Sequence, residues 1–169
     1  MLAQNRFNTF LLMFGYGSEG YFAPIYPYFF DVEGFPDVQV VGITAEKQQR
    51  NLDMLHMIID KAHQRGLDFS LALWTHISAG TSAYRSVESA TPGLVWGLDD
   101  DNLIAYTEAG LTKFFTVVNT MDALQFRVHV ESAVGLPDQI PFWNMIHGVI
   151  EDANLDIPIS MRAKGFTND

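Results

Sequence analysis

Strand-like and helix-like segments alternate along most of this 169-residue chain. Four segments have the apolar, often alternating pattern of strands, namely residues 7–14, 68–76, 123–131 and 157–164. Three segments with apolar residues at helical spacing lie between them, at residues 45–65, 100–118 and 140–153. Thr44 is the expected N-cap of the first helix, and Gly66 follows its end. This alternation predicts an α/β fold with a parallel sheet and helical crossovers.

The last two strand segments favour one kind of α/β fold. Apolar and polar residues alternate in both, which places each polar set on a single face of the sheet. Strands of an open sheet covered on both faces are instead continuously apolar. We therefore predict four consecutive strands of a (β/α)8 TIM barrel, as a single partial catalytic domain over residues 1–169. A whole barrel needs about 250 residues, so we expect a longer natural protein, or self-association of two copies that closes the gap.

The connections between these segments differ greatly in length. Links from helix to strand are short, whereas links from strand to helix are long and cover residues 15–44, 77–99 and 132–139. In both barrels and open α/β sheets, ligands bind at the carboxyl ends of the strands, where the strand-to-helix loops lie. The functional site is therefore predicted at that end of the sheet.

Composition excludes several classes of function. Acidic residues outnumber basic ones by 20 to 10, which gives a formal net charge of −10 and argues against a nucleic-acid partner. No apolar run has the length of a membrane span. The chain contains no cysteine, so disulfides, thiolate nucleophiles and zinc–cysteine sites are excluded.

Glu131 is the first candidate for catalysis. It ends a strand segment, begins a strand-to-helix loop and shares a face with Arg127 and His129. A carboxyl group in that place can transfer a proton to a bound substrate, as glycoside cleavage requires, with a second carboxylate opposite it in most families. The alternative is a structural role, in which Glu131 pairs with Arg127 or caps the following loop.

Trp74 and His76 end the preceding strand and are expected to share its polar face. The indole ring could stack on a sugar, and the imidazole could bond a hydroxyl group; packing roles are equally compatible with the pattern. Alternatively, His76 and His129 could be metal ligands, although no HxH or HExxH spacing supports a metal site.

Two further groups of residues are candidate substrate contacts. The 15–44 loop holds eight of the 22 aromatic residues, and we expect most of these rings to form a satellite core over the barrel rim while a few, Tyr28 among them, reach substrate. Arg162 and Lys164 end the last strand. With Arg127 they could form a positive pocket for an acidic sugar, or they could pair with internal carboxylates.

The order of the segments NRFNTFLLM, FPDV, GIT, AHQRGLDFSLALW and ALQFRVHVES resembles the catalytic barrel of α-glucuronidase-like glycoside hydrolases. Barrels of the β-hexosaminidase type resemble it more distantly. The resemblance implies that Glu131, within the segment HVESA, is the general acid, and that the base-side carboxylates lie on later strands. It also implies that this chain alone is catalytically incomplete, and it suggests a periplasmic or extracellular location.

The sequence therefore predicts a glycoside hydrolase that cleaves a polysaccharide or oligosaccharide, and a uronate-containing saccharide is one candidate substrate. Glu131 is its general acid, no cofactor is expected, and the substrate contacts are Trp74, His76, Arg127, His129, Arg162, Lys164 and Tyr28. Two alternatives stay open. One is a metal-dependent sugar isomerase or lyase, and the other is a carbohydrate-binding protein without turnover.

Overall fold

The computed structural model describes residues 7–14, 24–74, 86–128 and 136–163. The strands and helices within these ranges are, in chain order, β1 (Thr9–Met13), β2 (Gln39–Val40), α1 (Ala45–His63), β3 (Asp68–Trp74), β4 (Val95–Trp96), α2 (Leu103–Val117), β5 (Ala123–Val128), α3 (Leu136–Asp152) and β6 (Ile159–Ala163). Short 3-10 turns occur at Tyr26–Tyr28 and Val87–Ser89.

The main sheet has four parallel strands in the order β1-β3-β5-β6. Each strand pairs with the next long strand of the chain, and one helix connects each pair. The predicted α/β class, the parallel sheet and the three helices are therefore confirmed. A second, antiparallel sheet of β2 and β4, which the sequence did not predict, joins the loops that follow β1 and β3.

One face of the parallel sheet forms the centre of the core. Phe69, Leu71 and Leu73 of the central strand β3 are at most 1% exposed, and they belong to the same buried cluster as Leu55 and Ile59 of α1. Complete burial of each such side chain contributes roughly 1.5–3 kcal/mol. This burial fixes the side of the sheet on which the helices pack.

The edge strand β6 leaves part of the same apolar face uncovered. Its register places Ile159 beside Leu124 and Met161 beside Phe126. Although Leu124 and Phe126 are buried, Ile159 is 45% exposed and Met161 is 52% exposed. The apolar face of the sheet thus continues past the surface that is covered in the described residues.

The helix boundaries agree with the sequence prediction where a local signal exists. The Thr44 hydroxyl accepts a bond from the Lys47 amide, as expected of an N-cap. Helix α2 begins at Leu103, because the Asp99 carboxylate accepts bonds from two backbone amides in a turn just before it. Helix α3 begins earlier than predicted and runs through Pro141. Trp143 packs against Phe126 at a ring distance of 5.4 Å, so tertiary packing outweighs the bond that proline removes.

In its described part, residues 24–44, the aromatic loop after β1 does not form a separate satellite core. The Tyr26 and Phe29 rings both contact Phe114 of α2, at 6.2 and 6.1 Å, and Phe29 also contacts Phe14 at 5.5 Å. These rings belong to one continuous core with the sheet and the helices. The expectation of a separate rim core was therefore wrong, because α2 itself supplies the surface on which the rings pack.

Gly110 of α2 makes this packing possible. A Cβ atom built at Gly110 would lie 2.4 Å from Cδ2 and 2.8 Å from Cγ of the fully buried Tyr26 ring. Gly148 of α3 has open space around the same atom. The two helical glycines therefore provide a matched pair for testing the contact.

We expect Gly110→Ala to lower the free energy of unfolding by about 1–3 kcal/mol, because the extra methyl group overpacks the core. Gly148→Ala should raise the same free energy by up to about 1 kcal/mol, because alanine is the better helix former. Urea unfolding followed by circular dichroism measures both. A Gly110→Ala protein as stable as the Gly148→Ala protein would contradict the close approach of Tyr26.

At the amino end of the sheet, Asp122 ties three segments together. Its Oδ2 atom accepts the backbone amide of Phe69 at 2.7 Å and lies 2.7 Å from Nε2 of His63. Partial burial by itself would raise the pKa of Asp122. The bonds from Phe69 and His63 outweigh this effect and hold that pKa below its ordinary value.

Because the pKa of Asp122 is lowered in the folded state, its contribution to stability is present above the unfolded pKa of about 3.9 and is lost as pH falls through the folded value. We expect Asp122→Ala to lower the unfolding free energy at pH 7 by about 1–2 kcal/mol. The difference from wild type should shrink as the pH falls below about 4. The control is Asp156→Ala, at an exposed loop position, which should change stability by less than about 0.5 kcal/mol. Urea titrations at several pH values test this, and a deficit that persists undiminished at acidic pH would argue against the assignment.

Candidate functional site

Three of the predicted site residues occupy one row across the parallel sheet. The register pairs Trp74 of β3 with Arg127 of β5, and Arg127 with Arg162 of β6. Residues in register on neighbouring strands share a face and lie about 4.8 Å apart. This set, Trp74, Arg127 and Arg162, is called the strand-end row because it lies at or near the carboxyl ends of its strands.

The strand-end row lies on the face opposite the apolar core. Residues of β5 alternate, with Leu124 and Phe126 buried and Gln125 partly exposed on the other side. Gln125 pairs in register with Ala72 and Ser160, and its amide donates to the Ser160 hydroxyl at 3.4 Å. The polar sets that the sequence identified in these strands therefore share one face, at least as far as Arg127 and Arg162.

Small residues make room on this face at the centre of the sheet. Ser70 and Ala72 of β3 are 7% and 0% exposed, and the next register position is Trp74. The large buried side chains of the same strand, Phe69, Leu71 and Leu73, belong to the opposite face. Apart from Trp74 at the strand end, the register positions on the face of the strand-end row are thus held by small or polar residues in β3, β5 and β6.

Arg127 and Arg162 occupy adjacent register positions on neighbouring strands. Arg162 is exposed, and among the described residues no carboxylate pairs with it. Guanidinium groups bind carboxylates and phosphates through paired parallel hydrogen bonds. The row is therefore chemically suited to an anionic group.

Of the other predicted site residues, Tyr28 lies in the described part of the chain and four do not. His76, His129, Glu131 and Lys164 lie outside the described residues, so their roles stay predictions. Tyr28 lies in the 3-10 turn after β1, and its hydroxyl donates to the Gly93 carbonyl at 2.5 Å. That bond connects the loop after β1 to the loop after β3. A contact of Tyr28 with substrate also stays a prediction.

The two loops are joined tightly at several places. The Val41 amide donates to the Leu94 carbonyl, and the Gly93 amide donates to the Val41 carbonyl, both at 2.8 Å. Gly97 has a φ of +85°, and a Cβ atom there would lie 2.2 Å from the Asp37 carbonyl oxygen. Only glycine fits this crossing. The loops after β1 and β3 thus form one ordered unit in their described parts, which sequence reasoning missed because the paired strands are only two residues long.

A cavity of about 600 Å³ lies beside this unit. It is formed by residues 31–36, 38–40 and 43 of the first loop, by Ala45 and Gln48 at the start of α1, and by Lys113 of α2. No residue of the parallel sheet lines it. Lys113, which completes the cavity, comes from a distant part of the chain.

Among the described residues, no group of three histidine, aspartate or glutamate side chains is arranged to hold a metal ion. No helix in the described ranges has the length and apolar character of a membrane span. Comparisons of the chain with protein-family models, with curated proteins and with solved structures found no match.

Proposed function

We propose that the protein is a carbohydrate-active enzyme of the glycoside hydrolase class, built on part of a (β/α)8 barrel, and that its substrate carries uronate groups. The observation that carries this proposal is the strand-end row, which brings one aromatic and two arginine positions together at the carboxyl ends of parallel strands. An aromatic ring packs on the apolar face of a sugar. Arginine pairs recognise a carboxylate.

The order of the strands supports the barrel. Four successive strands are paired in chain order with no reversal, as in a (β/α)8 barrel, whereas doubly wound sheets reverse direction at a switch point. The exposed Ile159 and Met161 at the β6 edge are what a further strand and helix, or a second copy of the chain, would cover. Closure of the sheet would also remove its unpaired edges.

In the proposed mechanism, Glu131 donates a proton to the glycosidic oxygen as the bond to the anomeric carbon breaks. A second carboxylate, outside the residues assigned here, either attacks the anomeric carbon or activates a water molecule. Arg127 and Arg162 bind the uronate carboxylate, and Trp74 packs on the ring. The arginines hold the sugar in register with the acid, and they would stabilise the carboxylate that Glu131 becomes after it has donated its proton.

We expect Glu131→Gln to lower kcat on a natural oligosaccharide by about 10²–10⁴-fold, because the amide cannot supply the proton. The loss should be much smaller on an aryl glycoside whose leaving group needs no protonation. Glu108→Gln, at an exposed position of α2, is the matched control and should leave turnover unchanged. Hydrolysis assays measure these effects, and they use the protein with its barrel completed by the longer natural chain or by a second copy. Turnover that survives Glu131→Gln, or that requires a divalent ion, would exclude this mechanism.

We expect Arg162→Gln to weaken binding of a uronate oligosaccharide by about tenfold or more, because one guanidinium–carboxylate contact is removed. Binding of the neutral oligosaccharide with the same linkages should not change. Arg65→Gln is the matched control, since Arg65 is exposed and bonds the Lys61 carbonyl at the far end of α1. Calorimetric titration distinguishes the two variants. Equal affinities of the wild type for the charged and neutral ligands would contradict uronate recognition. If the protein with its completed barrel binds the uronate oligosaccharide but forms no product, it is a non-catalytic binding protein.

A further inference from the structure

The cavity beside the joined loops, called the loop cavity, has its own binding chemistry. Its polar lining includes Asp31, Glu33, Gln39, Gln48 and Lys113, and its apolar lining includes the half-buried Phe35. Its volume of about 600 Å³ falls within the range of small-molecule sites. Since no residue of the strand-end row lines it, the loop cavity is separate from the site proposed above.

Two side chains of the loop cavity, Gln48 and Lys113, already donate hydrogen bonds within the protein. The side-chain amide of Gln48 donates to the Asp31 carboxylate at 2.8 Å and to the Pro27 carbonyl at 3.1 Å. The Lys113 ammonium donates to the Asp31 carbonyl at 2.9 Å and lies 5.0 Å from the centre of the Phe30 ring. These bonds fix the positions of both side chains against the loop.

Acceptors remain available to a ligand. The Gln48 amide oxygen and the second carboxylate oxygen of Asp31 have no bond to other described residues, and the exposed Glu33 carboxylate has none either. A ligand that bonds to these acceptors must itself supply hydrogen-bond donors. Two carboxylates against one engaged ammonium group also disfavour an anion such as a uronate.

The apolar lining completes a surface suited to a sugar ring. The Phe35 ring is held by an edge contact with Tyr106 at 5.3 Å, and Pro36, Val40 and Ile43 lie around the same cavity. Sugars present apolar C–H faces together with hydroxyl donors, so they match an aromatic ring flanked by carboxylates and amides. A simple cation would use the carboxylates and the amide oxygen, but it would leave the apolar lining of Pro36, Val40 and Ile43 without a partner.

We propose that the loop cavity is a second carbohydrate-binding site, which takes a neutral sugar unit of a saccharide. Asp31, Glu33 and Gln48 accept bonds from its hydroxyl groups, and Phe35 packs against its apolar face. The site acts independently of hydrolysis and holds neutral portions of a saccharide at a distance from the strand-end row. It would keep the chain attached to a polymer whose charged units bind elsewhere.

The test is calorimetric titration of the intact wild-type chain with three neutral probes, cellotetraose, xylotetraose and maltotetraose, at millimolar concentrations. We expect at least one to bind, and Glu33→Gln to weaken that binding by about fivefold or more. Glu33 is exposed, so this variant should fold normally. Asp37→Asn is the matched control, because Asp37 is exposed in the same loop and does not line the cavity. Its affinity should equal that of the wild type.

Arg162→Gln separates this site from the strand-end row, since it should leave the binding of the neutral probe unchanged. Failure of all three neutral probes to bind the wild type would overturn the proposal. Equal affinities of the wild type and Glu33→Gln would also overturn it. Displacement of the sugar by spermidine, with an affinity that falls steeply as salt is added, would identify a cation site instead and would likewise overturn it.

Discussion

The difference between the two faces of the central strand β3 determines the rest of the structure. Phe69, Leu71 and Leu73 are almost completely buried on one face, while Ser70 and Ala72 occupy the other. Large side chains on a single face require the helices to pack there. In the described part of the chain, the buried side chains of the helices belong to the cluster on that face. The small and polar residues of the opposite face can then line a site at the carboxyl ends of the strands.

The described part of the aromatic loop after β1 packs into the same core as the sheet and the helices. Tyr26 and Phe29 fill space against Phe114, and the missing side chain of Gly110 admits the Tyr26 ring. The hydroxyl of Tyr106 is buried without a hydrogen-bond partner in the described residues, and burial raises its pKa. Packing of the rings thus outweighs one unsatisfied polar group, whose cost is about 1–3 kcal/mol. The loop is consequently a structural part of the domain as well as a lining of the loop cavity.

Features that depend on local patterns could be predicted from the sequence. The period of two in β5 and β6 gave their faces, and Thr44 gave the start of α1. The strands β2 and β4 could not be found in this way, because two-residue strands carry no periodicity and their pairing joins distant loops. For the candidate site, alternation gave the face of Arg127 and Arg162. Their alignment with Trp74 depends on register between strands, which no single segment encodes.

The charge of the whole protein and the charge of the proposed uronate site have opposite signs, and distance decides which governs binding. The net charge of −10 repels an acidic polysaccharide as it approaches. At physiological ionic strength that repulsion is screened over about 8 Å, whereas an arginine that touches a carboxylate acts at hydrogen-bond distance. The proposed recognition of uronate would therefore be local and geometric, with no contribution from long-range attraction. A neutral unit held at the loop cavity would offset this lack of attraction, because it would keep the charged units of the same polymer close to the strand-end row.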